Sequence, residues 1–279
     1  MSSQEKREVA VPKYFRKTPE VPKYQGTTFV MILTIGGFLA GFIGLADINN
    51  YGGFLCIGIP AVFFGGMGWL TTSAANNKKR TDYEKNYKET EPKPSDEQID
   101  QWRQSDLNKI RAESMSKLDL VSEQVMGDSN DPIMVVGPSA GALSAMGSDS
   151  IIRFSRHDVV IVYLTDYHLA AYSCTIDLSS GLQTHESTQE YHYTDVVSVA
   201  TQTDNSSIFK VVVNGQDKPL ANYQKFALSV ASGERIEVAI SFPQIDDVIK
   251  NARLAPTGAE NAVKIIRARL REKKGGTQE

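Results

Sequence analysis

The chain has 279 residues, a formal net charge of −3 at pH 7 and only two cysteines. This length leaves room for one globular domain of ordinary size with its linkers, so several large domains are not expected. Cys56 and Cys174 fall in different predicted segments, so a disulfide-rich scaffold is excluded. No nucleic-acid partner is expected.

Residues 1–27 form a polar leader before the first apolar run. The leader contains two copies of Val-Pro-Lys-Tyr, at Val11–Tyr14 and Val21–Tyr24, and has no periodic apolar spacing. Its three prolines oppose a helix. We therefore expect an extended or disordered cytoplasmic leader, in which the repeat is either a chance match or a short partner-binding segment.

Two uncharged runs follow, Thr28–Ala46 and Tyr51–Thr72, with only Asp47–Asn50 between them. At about 1.5 Å per helical residue, each run can reach across a hydrocarbon core about 30 Å thick. An open strand or a loop would leave its backbone groups without partners in lipid. The sequence therefore predicts that residues 28–75 form a two-helix transmembrane hairpin.

Basic residues flank this hairpin on both sides and are absent from its loop. They are Lys6, Arg7, Lys13, Arg16, Lys17 and Lys23 before it, and Lys78, Lys79, Arg80 and Lys85 after it. Because Lys and Arg accumulate on the cytoplasmic side of a membrane, both termini are expected in the cytoplasm. The prediction is thus an integral membrane protein with two spans.

Small residues four apart line the first helix of the predicted hairpin. Gly36, Ala40 and Gly44 lie on one line, and Gly37 and Gly41 lie on the next. This spacing lets two helix backbones approach closely. We expect the glycine face to pack either against the second helix of the hairpin or against a helix of another chain.

Residues 76–130 are predicted to be a charged linker followed by an amphipathic helix. The linker extends to Pro94 and has no apolar periodicity. Ser95 then offers an N-cap, with Gln98 three residues on. Apolar residues at helical spacing continue towards Gly127, which predicts a helix of about 30 residues that packs on the domain or on another helix.

Residues 131–254 are predicted to form a β-rich domain. Short apolar runs separated by turn residues follow one another without intervening helices, so the sheet should be mainly antiparallel. Asn214-Gly215 is the strongest hairpin signal among the turns. The predicted strands are 133–136, 151–154, 159–165, 168–177, 189–193, 196–201, 209–213, 225–231 and 235–241.

Three stretches of this region carry a common pattern of short strands, namely Val159–Thr165, His168–Tyr172 and Glu190–Val199, the last with a tyrosine, then Asp-Val, then a strand. They resemble the pleckstrin-homology-like (PH-like) fold of bacterial membrane-associated proteins. The resemblance covers Ile151–Leu254, less than half of the chain, and brings no catalytic motif. It implies a module that binds lipids, peptides or other subunits, and it implies that the membrane of the predicted two-span protein is a bacterial inner membrane.

Residues 255–279 are predicted to be a basic amphipathic helix and tail. Thr257 and Glu260 form a capping box, and an apolar stripe of Val263, Ile266 and Leu270 lies opposite basic residues. Such a helix suits its own domain, a partner subunit or an anionic surface. The residues expected to contact lipid headgroups are Lys78, Lys79, Arg80, Arg267 and Arg271, although the first three also serve as topology signals.

One motif indicates a catalytic function. Gly137–Gly141 reads Gly-Pro-Ser-Ala-Gly, the spacing of a nucleophile elbow with Ser139 as the nucleophile. No strands precede it to build a hydrolase sheet, so a serine hydrolase is kept only as an alternative. The four histidines lack the short paired spacing of a zinc site, and no catalytic residue, cofactor or metal is assigned.

Taken together, the sequence predicts an α+β chain: an N-terminal two-helix transmembrane hairpin, a long linker helix, then a mainly antiparallel PH-like β domain with C-terminal helices. We expect a non-enzymatic membrane-anchored scaffold or adaptor that docks partner proteins or sister copies, by adding an extended segment to its sheet edge. The alternatives are a sensor of anionic lipids and a serine hydrolase that uses Ser139.

Overall fold

The computed structural model describes residues 3–26, 28–46, 53–125, 131–206, 209–213, 216–220 and 222–275. The chain divides into two compact units, one made of residues 1–17 together with 92–279 and the other of residues 18–91. The predicted Asn214-Gly215 turn and the predicted loop at 47–50 lie outside the described residues.

The unit of residues 18–91 is a pair of helices, α2 (Thr28–Ala46) and α3 (Gly53–Thr90), which pack against each other. Glycines permit the close approach. A Cβ added at Gly37 would lie 2.7 Å from the Cβ of Ala61, and one added at Gly65 would lie 2.5 Å from the hydroxyl oxygen of Thr34. Both distances are shorter than real side chains tolerate, so larger residues at these positions would push the helices apart.

The prediction of a transmembrane hairpin is wrong. A span needs about 20 consecutive apolar residues, and among the residues that the structure describes, no helix combines the length and the apolarity to cross a membrane. The second helix does not end with its apolar run but continues to Thr90 through the charged segment that contains Lys78, Lys79 and Arg80. The assignment to the bacterial inner membrane, with both termini in the cytoplasm, is contradicted with it.

The leader also differs from the expectation, because Ser3–Phe15 form helix α1 rather than an extended or disordered segment. Val11, Tyr14 and Phe15 are buried in a small apolar cluster of the larger unit. The helix contains Pro12, which the sequence reading took as a helix breaker. Burial of this apolar face outweighs that local preference, since packing usually supplies most of a helix's stability.

Polar contacts fix α1 in the same place. Arg7, expected to be a topology signal, instead forms a salt bridge with Asp106, and its Nε donates to the carbonyl of Leu178 at 2.7 Å. The hydroxyl of Tyr14 donates to Asp96 Oδ1 at 2.5 Å. Helix α1 is therefore a docked part of the larger unit.

Helix α4 (Asp96–Lys117) begins where the sequence predicts. Ser95 is its N-cap, and the Ser95 hydroxyl accepts a hydrogen bond from the amide of Gln98 at 3.2 Å. The helix is shorter than predicted, because Asp119 adopts a left-handed backbone conformation with φ +50° and only a 3-10 turn, Ser122–Gln124, follows.

Twelve strands follow in the described part of the chain and form three sheets. They are β1 (Ile133–Pro138), β2 (Ser144–Met146), β3 (Ile151–Phe154), β4 (Arg156–Leu164), β5 (His168–Asp177), β6 (Leu182–His192), β7 (Val196–Asp204), β8 (Phe209–Val213), β9 (Gln216–Leu220), β10 (Tyr223–Val230), β11 (Arg235–Ser241) and β12 (Arg253–Leu254). The sheet orders are β1-β4-β5-β6, β11-β10-β7 and β12-β3-β2-β8-β9. The first two sheets are antiparallel and the third contains two parallel pairs, so the α+β, mainly antiparallel prediction is confirmed.

Strand β4 illustrates how the inner strands of the four-stranded sheet are buried on both faces. Val160 and Val162 belong to the core beneath helix α6 (Ala259–Gly275), which packs on β1 and β7. Val159 and Ile161 belong to the opposite core, which α4 covers. Because side chains alternate along a strand, a sheet covered on both faces requires a continuous apolar run such as Val159–Val162. A short helix α5 (Ile245–Val248) lies between β11 and β12.

Candidate docking site at the β6 edge

Strand β6 is the exposed edge of the four-stranded sheet. It pairs with β5 on one side, and no described strand pairs with its other side. It is 11 residues long, and eight of these residues are exposed. A long edge strand carries a row of backbone donors and acceptors that another chain can pair with, which natural proteins usually avoid by shortening or covering the edge.

The strand is held in place from the α4 side. The Tyr172 hydroxyl lies 2.8 Å from both Gln183 Oε1 and Glu186 Oε2. The Lys117 ammonium group lies 2.5 Å from Glu186 Oε2, and its hydrogen bond lowers the pKa of the Glu186 carboxyl. These contacts fix β6 against β5 and α4 while leaving its outer backbone edge open, so the edge is preformed.

A polar cavity of about 380 Å³ lies beside this edge. Side chains of β4, β5, β6 and β11 line it, and the polar and charged ones are Asp158, Ser173, Thr175, His185, Ser187, Gln189, Arg235 and Glu237. Its volume falls in the range of small-ligand sites, about 300–1,000 Å³. The cavity therefore offers room for side chains of an incoming segment next to the free backbone edge.

The charges around the cavity are of both signs. Thr175 donates its hydroxyl hydrogen to Asp158 Oδ1 at 2.8 Å, and Glu237 is paired with Lys225 at 2.9 Å. Hydrogen bonding to Glu237 raises the pKa of Lys225, which keeps that pair charged. The surface thus fits an uncharged polar or mixed-charge segment better than a strongly acidic or basic one.

A backbone irregularity marks the cavity on β5 and β6. The strand register shifts between Ser173 and Thr175, and His185 adopts a positive φ of +53°. A bulge of this kind re-aims side chains at a sheet edge. Burial raises the pKa of the neighbouring Cys174 thiol to about 11, so this cysteine is a poor nucleophile at neutral pH.

The glycine positions singled out from the sequence differ in their surroundings. Gly37 is buried against α3, whereas a Cβ at Gly36 would meet nothing within 4 Å, and Ala40 is half-buried. The surroundings of Gly41 and Gly44 lie outside the described residues.

The basic residues predicted to contact lipid belong to different units. Lys78, Lys79 and Arg80 are exposed on α3, and Arg80 is paired with Glu84 at 2.8 Å. In the other unit, Arg267 donates to the carbonyl of Val199 at 2.8 Å, and Arg271 is exposed on α6. Part of the Arg267 guanidinium is thus already used in a hydrogen bond within the fold.

Ser139 lies in the turn between β1 and β2. Its amide donates to the carbonyl of Arg156 at 3.2 Å, and Gly141 takes a positive φ of +69° to complete the turn. The segment after the motif is strand β2 rather than a helix. A nucleophile elbow requires a strand–turn–helix, so the spacing of the motif serves a β-turn here.

Within the described ranges, no group of three or more His, Cys, Asp and Glu side chains is arranged to hold a metal ion. The four histidines are spread over the sheet: His157 is buried in β4, His168 begins β5, and His185 and His192 lie on exposed β6.

The sequence reading missed the polar cavity. The available signal was polar residues at core-facing positions of otherwise apolar strands, namely Asp158 before Val159 and Ser173 after Tyr172. Such positions cost free energy unless they face water or a partner. They mark the open end of the space between the two antiparallel sheets.

The chain was also compared with known proteins. No family model matches it, and neither a curated protein nor a solved structure is significantly similar to it.

Proposed function

We propose that this chain is a non-enzymatic binding subunit, a scaffold or adaptor that recruits an extended segment of a partner protein along strand β6. The observation that carries the proposal is the 11-residue free edge, which is paired with β5 on its inner side and bordered by a polar cavity. The PH-like resemblance, which stays a prediction, implies the same class of module.

The affinity of such a site would come from backbone hydrogen bonds. An added strand pairs its N–H and C=O groups with those of β6, while every second side chain turns towards the sheet face that borders the cavity. Each hydrogen bond exchanges with water, so its net contribution is about 1 kcal/mol. Several bonds along the edge therefore give moderate, reversible binding.

Selectivity would come from the cavity. His185, Ser187 and Gln189 lie at alternate positions of β6 and all line it. A partner side chain that reaches this space meets hydrogen-bond donors and acceptors, together with Arg235 on the facing strand. Polar side chains at alternate positions of the partner segment are therefore expected, because they can pair with these groups.

The proposal can be tested with a library of random extended peptides about 10 residues long, which is the length of a strand. Binders selected on the full-length chain should perturb the amide NMR signals of β6. They should leave those of β1 unchanged. Peptides that bind elsewhere, or no binders at all, would contradict the proposal.

Proline variants then separate the backbone edge from the side chains. Amide groups alternate in direction along a strand, so one of Ser187→Pro and Thr188→Pro removes an N–H that points away from β5. That variant should fold normally and bind selected peptides about tenfold or more weakly. Thr188→Ala, which keeps the amide and does not line the cavity, should bind as the parent chain does; equal binding by the outward proline variant would refute strand addition.

A second contact surface lies on the helix pair of residues 18–91. Its exposed large apolar side chains include Phe38, Phe42, Ile59, Phe63 and Phe64. Contiguous apolar patches of this kind mark association surfaces. We infer that α2 and α3 bind a sister copy. Sedimentation of the full-length chain should therefore show assembly that Phe42→Ser together with Phe63→Ser abolishes, and a purely monomeric parent chain would contradict this part.

The lipid alternative is separated by flotation with vesicles. If the full-length chain binds in proportion to their anionic lipid content, and Arg271→Gln lowers that binding, lipid sensing replaces the adaptor proposal. Binding that ignores anionic lipid content, or no binding, removes this alternative.

A further inference from the structure

A small cavity lies between α4, β1, β4 and the segment that precedes α6. Its volume is about 20 Å³, and its lining includes Arg103, Gly137, Pro138, His157 and Thr257. A volume of this order holds one water-sized species. The cavity is on a different part of the sheet from the β6 edge, so it bears on a property beyond the proposed function.

Arg103 brings a cationic group with one unpartnered donor to this cavity. Its Nε atom is buried and has no hydrogen-bond partner among the described residues. Burial lowers the pKa of the Arg103 guanidinium, with Asp100 opposing that shift and Arg153 adding to it. A buried N–H donor without a partner is costly and is rare in folded proteins.

The nearby Arg153, unlike the Nε atom of Arg103, has several hydrogen-bond and ion-pair partners. Its side chain is 5% exposed and contacts three carboxylates, those of Asp96, Asp100 and Asp149. Two hydrogen bonds, at 2.9 Å and 2.6 Å, join it to Asp100. Asp100 is the carboxylate that stabilises the charged form of Arg103, but it already accepts two hydrogen bonds from Arg153.

His157 forms the other polar side of the cavity and is 7% exposed. Burial, reinforced by the charge of Arg103, lowers its pKa to about 3. The imidazole is therefore neutral at pH 7 and carries one N–H. A neutral imidazole beside a guanidinium avoids repulsion between two cations and still offers a donor to an anion.

We propose that this cavity binds one small monovalent anion of the size of chloride, between the Arg103 guanidinium and the His157 imidazole. The anion would neutralise Arg103 and join α4 to the sheet. Its charge is inferred from the two donors that line the cavity, namely the cationic Arg103, whose buried Nε has no partner among the described residues, and the N–H of His157. Its size is inferred from the space for one water-sized species. Sulfate and phosphate are too large for this space.

The test measures chloride binding directly, by the line width of the ³⁵Cl NMR signal in the presence of the full-length chain. Excess broadening should saturate with chloride, and bromide should displace it while sulfate should not. Ionic strength is held constant with gluconate, an anion too large to enter. Absence of excess broadening, or displacement by sulfate as effective as by bromide, would overturn the proposal in favour of a water or a surface ion atmosphere.

Variants assign the site. Arg103→Gln should weaken binding about tenfold or more, whereas Arg103→Lys, which keeps a cation, should retain part of it. Arg271→Gln removes an exposed arginine of α6 and serves as the matched control, with binding unchanged. Binding that survives Arg103→Gln in a folded variant would refute the assignment; if that variant does not fold, His157→Leu, which removes the second donor, must weaken chloride binding instead.

Discussion

The two edges of the four-stranded sheet contrast sharply. On β1, the amide of Val136 donates to the carbonyl of Thr257 at 2.9 Å, and Gly137 lies against the backbone of Ala239 in β11. On β6, no described strand covers the outer side, and most side chains are exposed. One sheet therefore has an edge closed by its own chain and an edge left open.

This difference indicates at which edge a partner strand can bind without unfolding part of the chain. At β1 a partner strand would have to displace β11 and the segment before α6, at the cost of the core they cover. At β6 it would displace only water. The predictions below test this contrast, beginning with the largest expected change in stability.

The largest effect is expected at the closed edge, from Gly137→Ala. A Cβ at this position would lie 1.7 Å from the carbonyl oxygen of Ala239, which is backbone and cannot turn aside. We expect a loss of about 3 kcal/mol in the free energy of unfolding, measured by urea denaturation. The control at the open edge, Ser187→Ala, should change it by less than about 0.5 kcal/mol; a similar loss in both variants would remove the contrast.

The next effect concerns pH and His157, which pairs with Pro138 of the closed edge. Its folded pKa of about 3 lies below its unfolded value of 6.5. The unfolded state therefore binds a proton that the folded state excludes, and stability is lost as pH falls below 6.5. In chloride-free buffer this term should cost about 2 kcal/mol by pH 5.

The measurement is urea denaturation across that pH range with His157→Gln as the comparison. The variant has no imidazole to titrate, so the difference between the two curves isolates this group. If both chains lose stability in parallel between pH 7 and pH 5, the assignment of the acid sensitivity to His157 fails.

A smaller loss of stability is expected from Tyr14→Phe, which weakens the attachment of α1 to the larger unit. The change removes the hydrogen bond to Asp96 while keeping the ring in its apolar cluster. A bond to a charged acceptor contributes about 1.5 kcal/mol, and thermal denaturation should show that loss. Tyr167→Phe, at an 80% exposed position, is the control and should be neutral.

The smallest effect is expected from Lys117→Gln, next to the open edge. Lys117 lowers the pKa of Glu186 through a hydrogen bond across partly exposed side chains. The pKa of Glu186, followed by NMR titration, should rise towards its ordinary value, while the fold of β6 stays intact. An unchanged pKa would mean that the ion pair does not form in solution.

Local signals predicted much of the larger unit. The Ser95 cap and the alternating runs of the sheet depend on neighbours within a few residues, and the structure has the helix start and the antiparallel strands there. Helix α1 was missed for the opposite reason. Pro12 is a local signal, while the burial of Val11 and Phe15 that outweighs it comes from residues far along the chain.

The remaining differences also arise from tertiary structure. The apolar runs after residue 27 predicted two spans, but composition alone does not tell where a helix ends, and α3 continues to Thr90. The open edge needed the strand order, since β6 is marked as an edge only by what pairs with it. The cavity lined by Arg103 and His157 lies between a helix and a strand, and no spacing in the sequence indicates that these two residues lie close together.

The most direct test of the open edge is amide hydrogen exchange in the full-length chain, compared between β1 and β6. The account predicts slow exchange along β1 and fast exchange at alternate amides of β6, with the fast amides becoming protected when a selected peptide is added. Uniform protection of β6 in the free chain, or no change on adding the peptide, would contradict it.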